Sequence, residues 1–385
     1  MPRIVFGRGS FTRVGELCTG LGRAAMVVTN GGEPGDGGPV DQLSGLLSEA
    51  GLRSVVWRQR GEPQVEEIDQ SLELARRESC DVVVGLGGGS AIDAAKAVAG
   101  LLANGGSPLD YMEVVGKGQP ITQPSVPWIA VPTTAGTGAE VTRNAVLGCR
   151  EPHFKASLRS SHLLATIALV DAELGLNVPA DISARTGMDA LCQLIESYTS
   201  QRAHPMTDGL ALEGMALAAR SLPRVVADGQ NLDAREDMAL AALLSGLALA
   251  NVGLGAVHGF AAPMGAHLTV PHGAVCAALL PHVMEANVAA LQDETCDHPW
   301  LIRYARIGQT LTGRADLPAT IAIDEGIRFT ANLVEQLQIP RLSKFGLTAD
   351  QIPELVDLAK KASSMRYNPV DLSDASLRDI LTKAM

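Results

Sequence analysis

The sequence predicts an α/β domain over residues 1–180 followed by an all-helical domain over residues 181–385. Three observations carry this. Short apolar runs alternate with helical segments through the first part of the chain, which is the grammar of a parallel sheet covered on both faces. Beyond residue 180 strand signals nearly vanish, and long periodic segments rich in alanine and leucine take over. Aromatics are scarce at 3% while the apolar share is 46%, so close-packed helices fit better than a β-sandwich. A chain of 385 residues also accommodates two domains of usual size.

The elements follow in order. Ala24–Thr29 (AAMVVT) is an apolar run that ends in Asn-Gly-Gly, and Ser54–Trp57 is a second short run. Gly31–Gly38 (GGEPGDGG) reads as a surface loop. Val65–Ser79 reads as an amphipathic helix with Ile68, Leu72 and Ala75 on one stripe. Asp81–Leu86 is an apolar run of strand length, Ala91–Ala103 is helical, and Trp128–Val131 is a further strand stopped by Pro132. The second half predicts helices over 181–200, 205–228, 233–256, 272–291, 298–312, 318–338, 350–363 and 374–384.

The net charge is −11 with no basic block, which argues against nucleic-acid binding. An acidic chain still binds anions where helix starts present free N–H groups. The six cysteines include no Cys-x-x-Cys pair, as expected of free thiols in a reducing cytosol. The N-terminal residues lack the apolar run of a signal peptide. The nearest approach to a membrane span is 239–257, whose glycines, Ser245 and Asn251 fit a buried helix better. A cytoplasmic protein without a membrane partner is expected.

Asp81–Lys96 (DVVVGLGGGSAIDAAK) reads as strand, glycine turn and helix. Without Cβ atoms, Gly87, Gly88 and Gly89 let a pyrophosphate approach the backbone, and Ser90 is a good N-cap residue. The following helix aims its positive end at such a ligand. The spacing is neither G-x-G-x-x-G nor a Walker motif, and an ordinary tight turn is the bland alternative. Asp93 and Lys96 fit plain helix-surface charges. Asp93 equally fits a helix cap or a ribose contact. Pro132–Thr142 (PTTAGTGAEVT) follows the next strand and makes a second polar lip. In a doubly wound sheet its neighbourhood to the glycine turn favours ligand contact.

Asp189 and Gln193 are four apart and share one helix face. His258 and His272, each followed by glycine, are fourteen apart with proline and glycine between them, as for two helices joined by a turn. Imidazole and carboxylate suit iron, zinc and similar ions, and two His plus one Asp leave an open position for substrate. Each residue also has a plain structural reading. Core histidines are commonly just hydrogen-bonded, Asp189 could hold the Arg185–Gly187 turn, and Gln193 is a weak ligand. His267 and His282 lie in the same segment as further ligands, proton carriers or structural residues. Phe260, Met264 and Leu268 fit either a modest apolar pocket or the core.

On these segments the chain resembles the iron-containing, or group III, alcohol dehydrogenase family. The resemblance starts at Ile4–Ser10 and runs through Gly87–Lys96, Pro132–Glu140 and Thr142. It continues through Gly187–Leu191, His258-Gly259, Val270–Gly273 and Leu280–His282. It implies an N-terminal Rossmann-like dinucleotide-binding α/β domain and a C-terminal helical domain, an arrangement of the dehydroquinate synthase-like kind. A cleft between the domains, NAD or NADP, one divalent metal (Fe or Zn) and a small alcohol or carbonyl substrate are implied too, and a homodimer is common in the family. Position by position, Gly87, Gly88, Gly89 and Ser90 would hold the pyrophosphate. Thr133, Thr134, Thr137 and Thr142 would line the nicotinamide side, with Asn144 and Lys155 as further cofactor contacts. Asp189, His258 and His272 match metal-ligand positions.

Two departures stand out. Gln193 occupies a position where the family usually carries a ligand His, and Ala262 stands where many members have a second His implicated in catalysis. With no base at 262, His267, a ribose hydroxyl or water is left to relay the proton, and His272 stands at the reacting centre. At the adenosine ribose, Asn30 occupies the place where NAD enzymes often carry an acid, and the reading leans to NAD. The leading expectation is hydride transfer between alcohol and aldehyde or ketone, assisted by metal. A metal-free reductase resembling maleylacetate reductase is the first rival. A sugar-phosphate cyclase is disfavoured because 181–290 has no Lys, and a binding protein without turnover comes last.

Overall fold

A computed structural model describes residues 1–32, 35–113, 116–149 and 154–385, so Glu33 and Pro34 of the expected Gly31–Gly38 loop lie outside the described residues. The chain forms two compact units. One comprises Met1–Thr134 and Gly138–Asn177, the other Ala135–Thr137 and Val178–Met385.

The first unit contains β1 (Arg3–Phe6), α1 (Val14–Cys18), β2 (Ala24–Thr29), α2 (Pro39–Glu49), β3 (Arg53–Arg58), α3 (Val65–Arg77) and β4 (Val82–Gly87). It continues with α4 (Gly89–Asn104), α5 (Pro108–Tyr111), β5 (Trp128–Pro132), β6 (Asn144–Cys149), β7 (Phe154–Arg159) and β8 (Ile167–Val170). Six strands form a parallel sheet in the order β1-β8-β5-β4-β2-β3. Successive residues of a strand point to opposite faces, and here both faces are covered. Met26, Val28, Val83 and Ala130 join one core with Ile68 and Leu72 of α3 and Ile92 of α4. Ala25, Val27, Val84 and Ile129 join the other with Val14 of α1 and Leu43 of α2. Strands buried on both faces read as continuous apolar runs, which is why β2, β4 and β5 stand out in the sequence.

A separate antiparallel hairpin of β6 and β7 is not among the sequence expectations. Lys96 anchors it. Expected as a surface charge, this side chain is fully buried. Its Nζ donates to Ala139 O at 2.9 Å, Thr142 Oγ1 at 3.0 Å and Asn144 O at 2.7 Å. Asp93 Oδ1 lies 3.5 Å away, and Asp93 Oδ2 accepts from Val146 N at 3.1 Å. A buried ammonium survives only with its donors satisfied, and here the acceptors are two main-chain oxygens and one hydroxyl from 139–144, the segment it pins.

The second unit is built from α6 (Ala180–Thr199), α7 (Pro205–Ala227), α8 (Leu232–Val252), α9 (Ala256–His267), α10 (His272–Glu294), α11 (Pro299–Thr312), α12 (Ala319–Gln336), α13 (Ile352–Lys361) and α14 (Asp374–Ala384). They share one apolar core. The segment 239–257, expected as one buried helix, breaks instead. Gly253 takes φ of +76°, and the chain bends by 98° between α8 and α9. Among the described residues α10 is the one unbroken helix long and apolar enough to cross a membrane, and 72% of its apolar window is buried in the protein. Phe260 and Met264 are fully buried core residues, and Leu268 is partly buried against the same core.

Glu140, beside the Lys96 anchor, is also buried, and burial pushes its carboxyl up to about 7 from 4.5. Its protonated form is therefore favoured on folding. The associated stability is complete below pH 4.5 and is lost as pH rises to about 7. Glu140→Gln should flatten that part of the stability–pH curve relative to wild type, by up to about 3 kcal/mol. Urea unfolding of both proteins across this range measures it, and parallel curves would contradict the assignment.

Candidate active site

In the first unit the chain order reverses beside β2. The path runs from β2 outward to β3, then returns across to β4 on the other flank. The carboxyl ends of β2 and β4 thus border a topological switch point, where open parallel sheets bind ligands. Asn30 leaves β2 there, and its Oδ1 accepts from Gly88 N at 3.1 Å. Gly87 has φ of +154°, and a Cβ on it would strike Asn30 Oδ1 and lie 2.8 Å from Ala91 Cβ. One turn into α4, Ala95 faces Gly85, where an added Cβ would approach to 2.7 Å. Absent side chains thus let α4 seat directly on β4, with its start at the switch point. The helix starts at Gly89 with Gly88 as N-cap and no side-chain cap. Ser90 is therefore a first-turn residue and not the cap expected of it. The first N–H groups of a helix have no intrahelical partner, so this end suits a phosphate. Thr133 N donates to Gly87 O at 2.9 Å, and Thr134 Oγ1 lies 3.2 Å from where a Gly88 Cβ would stand.

Asn30, Gly87, Gly88, Gly89, Ser90, Thr133 and Thr134 are therefore gathered around the ends of β2, β4 and β5. The other expected cofactor contacts have these surroundings. Asp93, Thr142 and Asn144 are engaged with Lys96. Lys155, on β7, pairs with Glu62. Thr137 belongs to the second unit.

In the second unit α6, α9 and α10 bring Asp189, His258, His272 and Cys276 together, with one donor atom from each within 4.8 Å of the others. His258 Nε2 is 3.3 Å from Asp189 Oδ1, and His272 Nε2 is 3.6 Å from the same oxygen. Both exceed the usual N–H···O range. Donors bound to one tetrahedral ion at about 2.0–2.1 Å stand about 3.3–3.4 Å apart, close to the spacing seen. The set of one carboxylate and two imidazoles therefore fits a divalent ion by chemistry and by spacing.

Behind the cluster, His258 Nδ1 donates to Glu196 Oε2 at 2.6 Å, and Glu196 Oε1 accepts from Val257 N at 2.7 Å. That bond fixes the ring's orientation and turns its Nε2 toward Asp189. Burial alone would raise the Asp189 carboxyl, but His272 and His258 more than offset it and hold it below its ordinary value. Asp189 and His258 are nearly inaccessible, with side-chain exposures of 3% and 7%, while His272 is 42% exposed. His272 is thus the face of the cluster that solutes reach. Gln193 is buried, and its Oε1 accepts from Ser245 Oγ at 2.8 Å.

His267 is not brought to the cluster. It ends α9, nine residues beyond His258 and so about 13 Å further along the helix. Its Nδ1 donates to Pro263 O at 2.9 Å and its Nε2 lies 3.8 Å from Glu354. Glu196 and Cys276 are the residues that sequence reasoning missed. Each had a periodic signal, since Glu196 is two turns from Asp189 and Cys276 one turn from His272.

The family described as "Iron-containing alcohol dehydrogenase" matches residues 2–172. The one described as "Fe-containing alcohol dehydrogenase family, C-terminal" matches residues 183–385. A choline dehydrogenase of Bacillus subtilis is 34% identical over 97% of this chain and 91% of its own length. A 1,3-propanediol dehydrogenase of Klebsiella pneumoniae is 34% identical over 98% and 96%. Among solved structures, a 1,3-propanediol oxidoreductase superposes with a TM-score of 0.92 at 33% identity, covering 100% of this chain and 98% of its own. A sulfoacetaldehyde reductase from Bifidobacterium kashiwanohense, in complex with NAD+, gives 0.84 at 30% identity, with 99% and 96% covered.

The Glu196 bond predicts a measurable effect. Glu196→Ala should weaken zinc binding by roughly 10–100-fold, the usual cost of losing a residue that orients a ligand histidine. Competition titration against a chromogenic chelator reads this directly, and an unchanged affinity would show that His258 needs no such support.

Proposed function

This chain belongs to the iron-containing alcohol dehydrogenase family, and on that premise we propose that Asp189, His258 and His272 hold its divalent metal while Gly87–Ser90 hold the cofactor pyrophosphate. The protein is a nicotinamide-dependent oxidoreductase that interconverts an alcohol and a carbonyl compound. The observation that carries the site assignment is the three-helix convergence of one carboxylate oxygen and two imidazole nitrogens at 3.3 and 3.6 Å. When bound, the divalent ion supplies Lewis-acid polarisation of the substrate oxygen and the nicotinamide ring exchanges the hydride.

The chain's own residues do the rest. Asp189 brings negative charge that offsets part of the charge of a cation, and Glu196 fixes the ring of His258 so that its Nε2 faces inward. His272 borders the accessible side, where a substrate oxygen would arrive. Gly87 and Gly88 keep the backbone bare, and the first turn of α4 presents N–H groups to the phosphates. Asn30 props this turn through Gly88 N and offers no carboxylate to a ribose. The NAD+-bound relative supports NAD as the preferred cofactor. The relatives named for choline, 1,3-propanediol and sulfoacetaldehyde support a small, short-chain alcohol or aldehyde as substrate. None of the six cysteines is in a disulfide, which supports a reducing, cytoplasmic location.

Purified without chelators or reconstituted with zinc or iron, the protein should contain about one divalent ion per chain. Asp189→Ala should empty the site and reduce turnover of short alcohols by at least about 100-fold, a factor that corresponds to under 3 kcal/mol, with NADH binding retained. Gly87→Ala should do the reverse, keeping the ion and losing NADH affinity. Mass spectrometry of metals and fluorescence titration of NADH separate the two. Full activity in a protein that stays metal-free after reconstitution would replace this reading with the metal-independent reductase.

A further inference from the structure

Cys276 is a full member of the cluster that neither the sequence motifs nor the family resemblance assigns. It follows His272 by four residues on α10, so the two side chains share one helix face. Its Sγ lies 3.6 Å from His272 Nε2 and 3.7 Å from His258 Nε2. A sulfur bound at about 2.3 Å and a nitrogen at about 2.0–2.1 Å on one tetrahedral ion stand about 3.6 Å apart. The sulfur edges therefore fit the same tetrahedron as the nitrogen–oxygen edges of 3.3 and 3.6 Å. Gln193 is the poorer candidate for the remaining vertex, since its Oε1 already accepts from Ser245 and a neutral amide is a weak donor.

We propose that Cys276 supplies the fourth protein donor of the metal centre, giving an oxygen, two-nitrogen, sulfur set in place of an all-hard one. This rests on the metal-centre reading above. The position left by the usual third histidine on α6 is thus made good from α10. A sulfur donor shifts the preference of the site toward zinc and cobalt and away from magnesium and manganese. With four protein donors, a substrate oxygen would have to add as a further ligand, and the exposed flank of His272 is where the chain would leave room for it. Cys276 itself is fully buried, so its sulfur is available to the ion and shielded from bulk solutes.

Cobalt(II) is the direct probe. The apoprotein loaded with one cobalt per chain should show a near-ultraviolet sulfur-to-cobalt charge-transfer band beside the visible d–d bands. Cys276→Ser should abolish the charge-transfer band, keep d–d absorption, and bind zinc roughly 10–100-fold more weakly. X-ray absorption of the zinc form should place one sulfur at about 2.3 Å. Wild-type protein that binds cobalt without the sulfur band overturns the proposal while leaving the metal centre standing. Cys192 of α6 is the rival sulfur, buried in a second donor group with Glu196 and His258, and a band that survives Cys276→Ser but vanishes in Cys192→Ser also overturns the proposal. Wild-type protein that takes up neither cobalt nor zinc overturns the metal centre itself, and shows as an empty protein instead of a changed spectrum.

Discussion

The second unit is organised around a histidine ring held between two buried carboxylates. Asp189 and Glu196 lie two turns apart on α6, and His258 meets one with each ring nitrogen. Neither acid tolerates burial without a partner, so α9 must present His258 at one height and one rotation only. Val257 N, on the adjacent peptide, takes the second oxygen of Glu196, which fixes the helix start as well as the ring. The sharp break at Gly253 precedes this helix start. The chain bends there by 98° before α9 delivers His258, and φ of +76° is open to glycine at little steric cost.

The first unit obeys a different constraint, the need for bare backbone where two strands diverge. Gly85 lets α4 seat against β4, and Gly87 and Gly88 leave no side chain between the strand end and Asn30. Lys96 then extends the order set by α4 into the hairpin, since its three main-chain and hydroxyl acceptors lie outside the helix. One buried cation thereby does for β6 and β7 what the doubly covered sheet does for the central strands.

These two constraints explain what is legible in the sequence. Strands buried on both faces announce themselves as unbroken apolar runs, so β2, β4 and β5 are visible at once. The hairpin is not, because NAVLGC and FKASLR are short, mixed in polarity and held by non-local bonds to a lysine that looks like surface. Asp189, His258 and His272 are conspicuous as polar residues in apolar helices, although their convergence depends on three helices meeting. Asp93, Thr142 and Lys155 have charged side-chain partners in the first unit, and Asn144 lends its main-chain oxygen to Lys96, links that no motif announces. Glu196 and Cys276 are hidden as well, since a helical Glu and a buried Cys are unremarkable until the helices are packed.

The open start of α4 also says something about what this protein gives up. A Ser, Thr or Asp at an N-cap contributes about 1 kcal/mol, and position 88 carries glycine without any side-chain substitute. A Cβ added at Gly88 would come within 3.2 Å of Thr134 Oγ1, so a capping side chain there would crowd its neighbour. The helix is left electrostatically incomplete, and an anion is the group that completes it. A helix start left without a capping side chain keeps its N–H donors and its positive end turned outward, a surface on which negative charge is favoured.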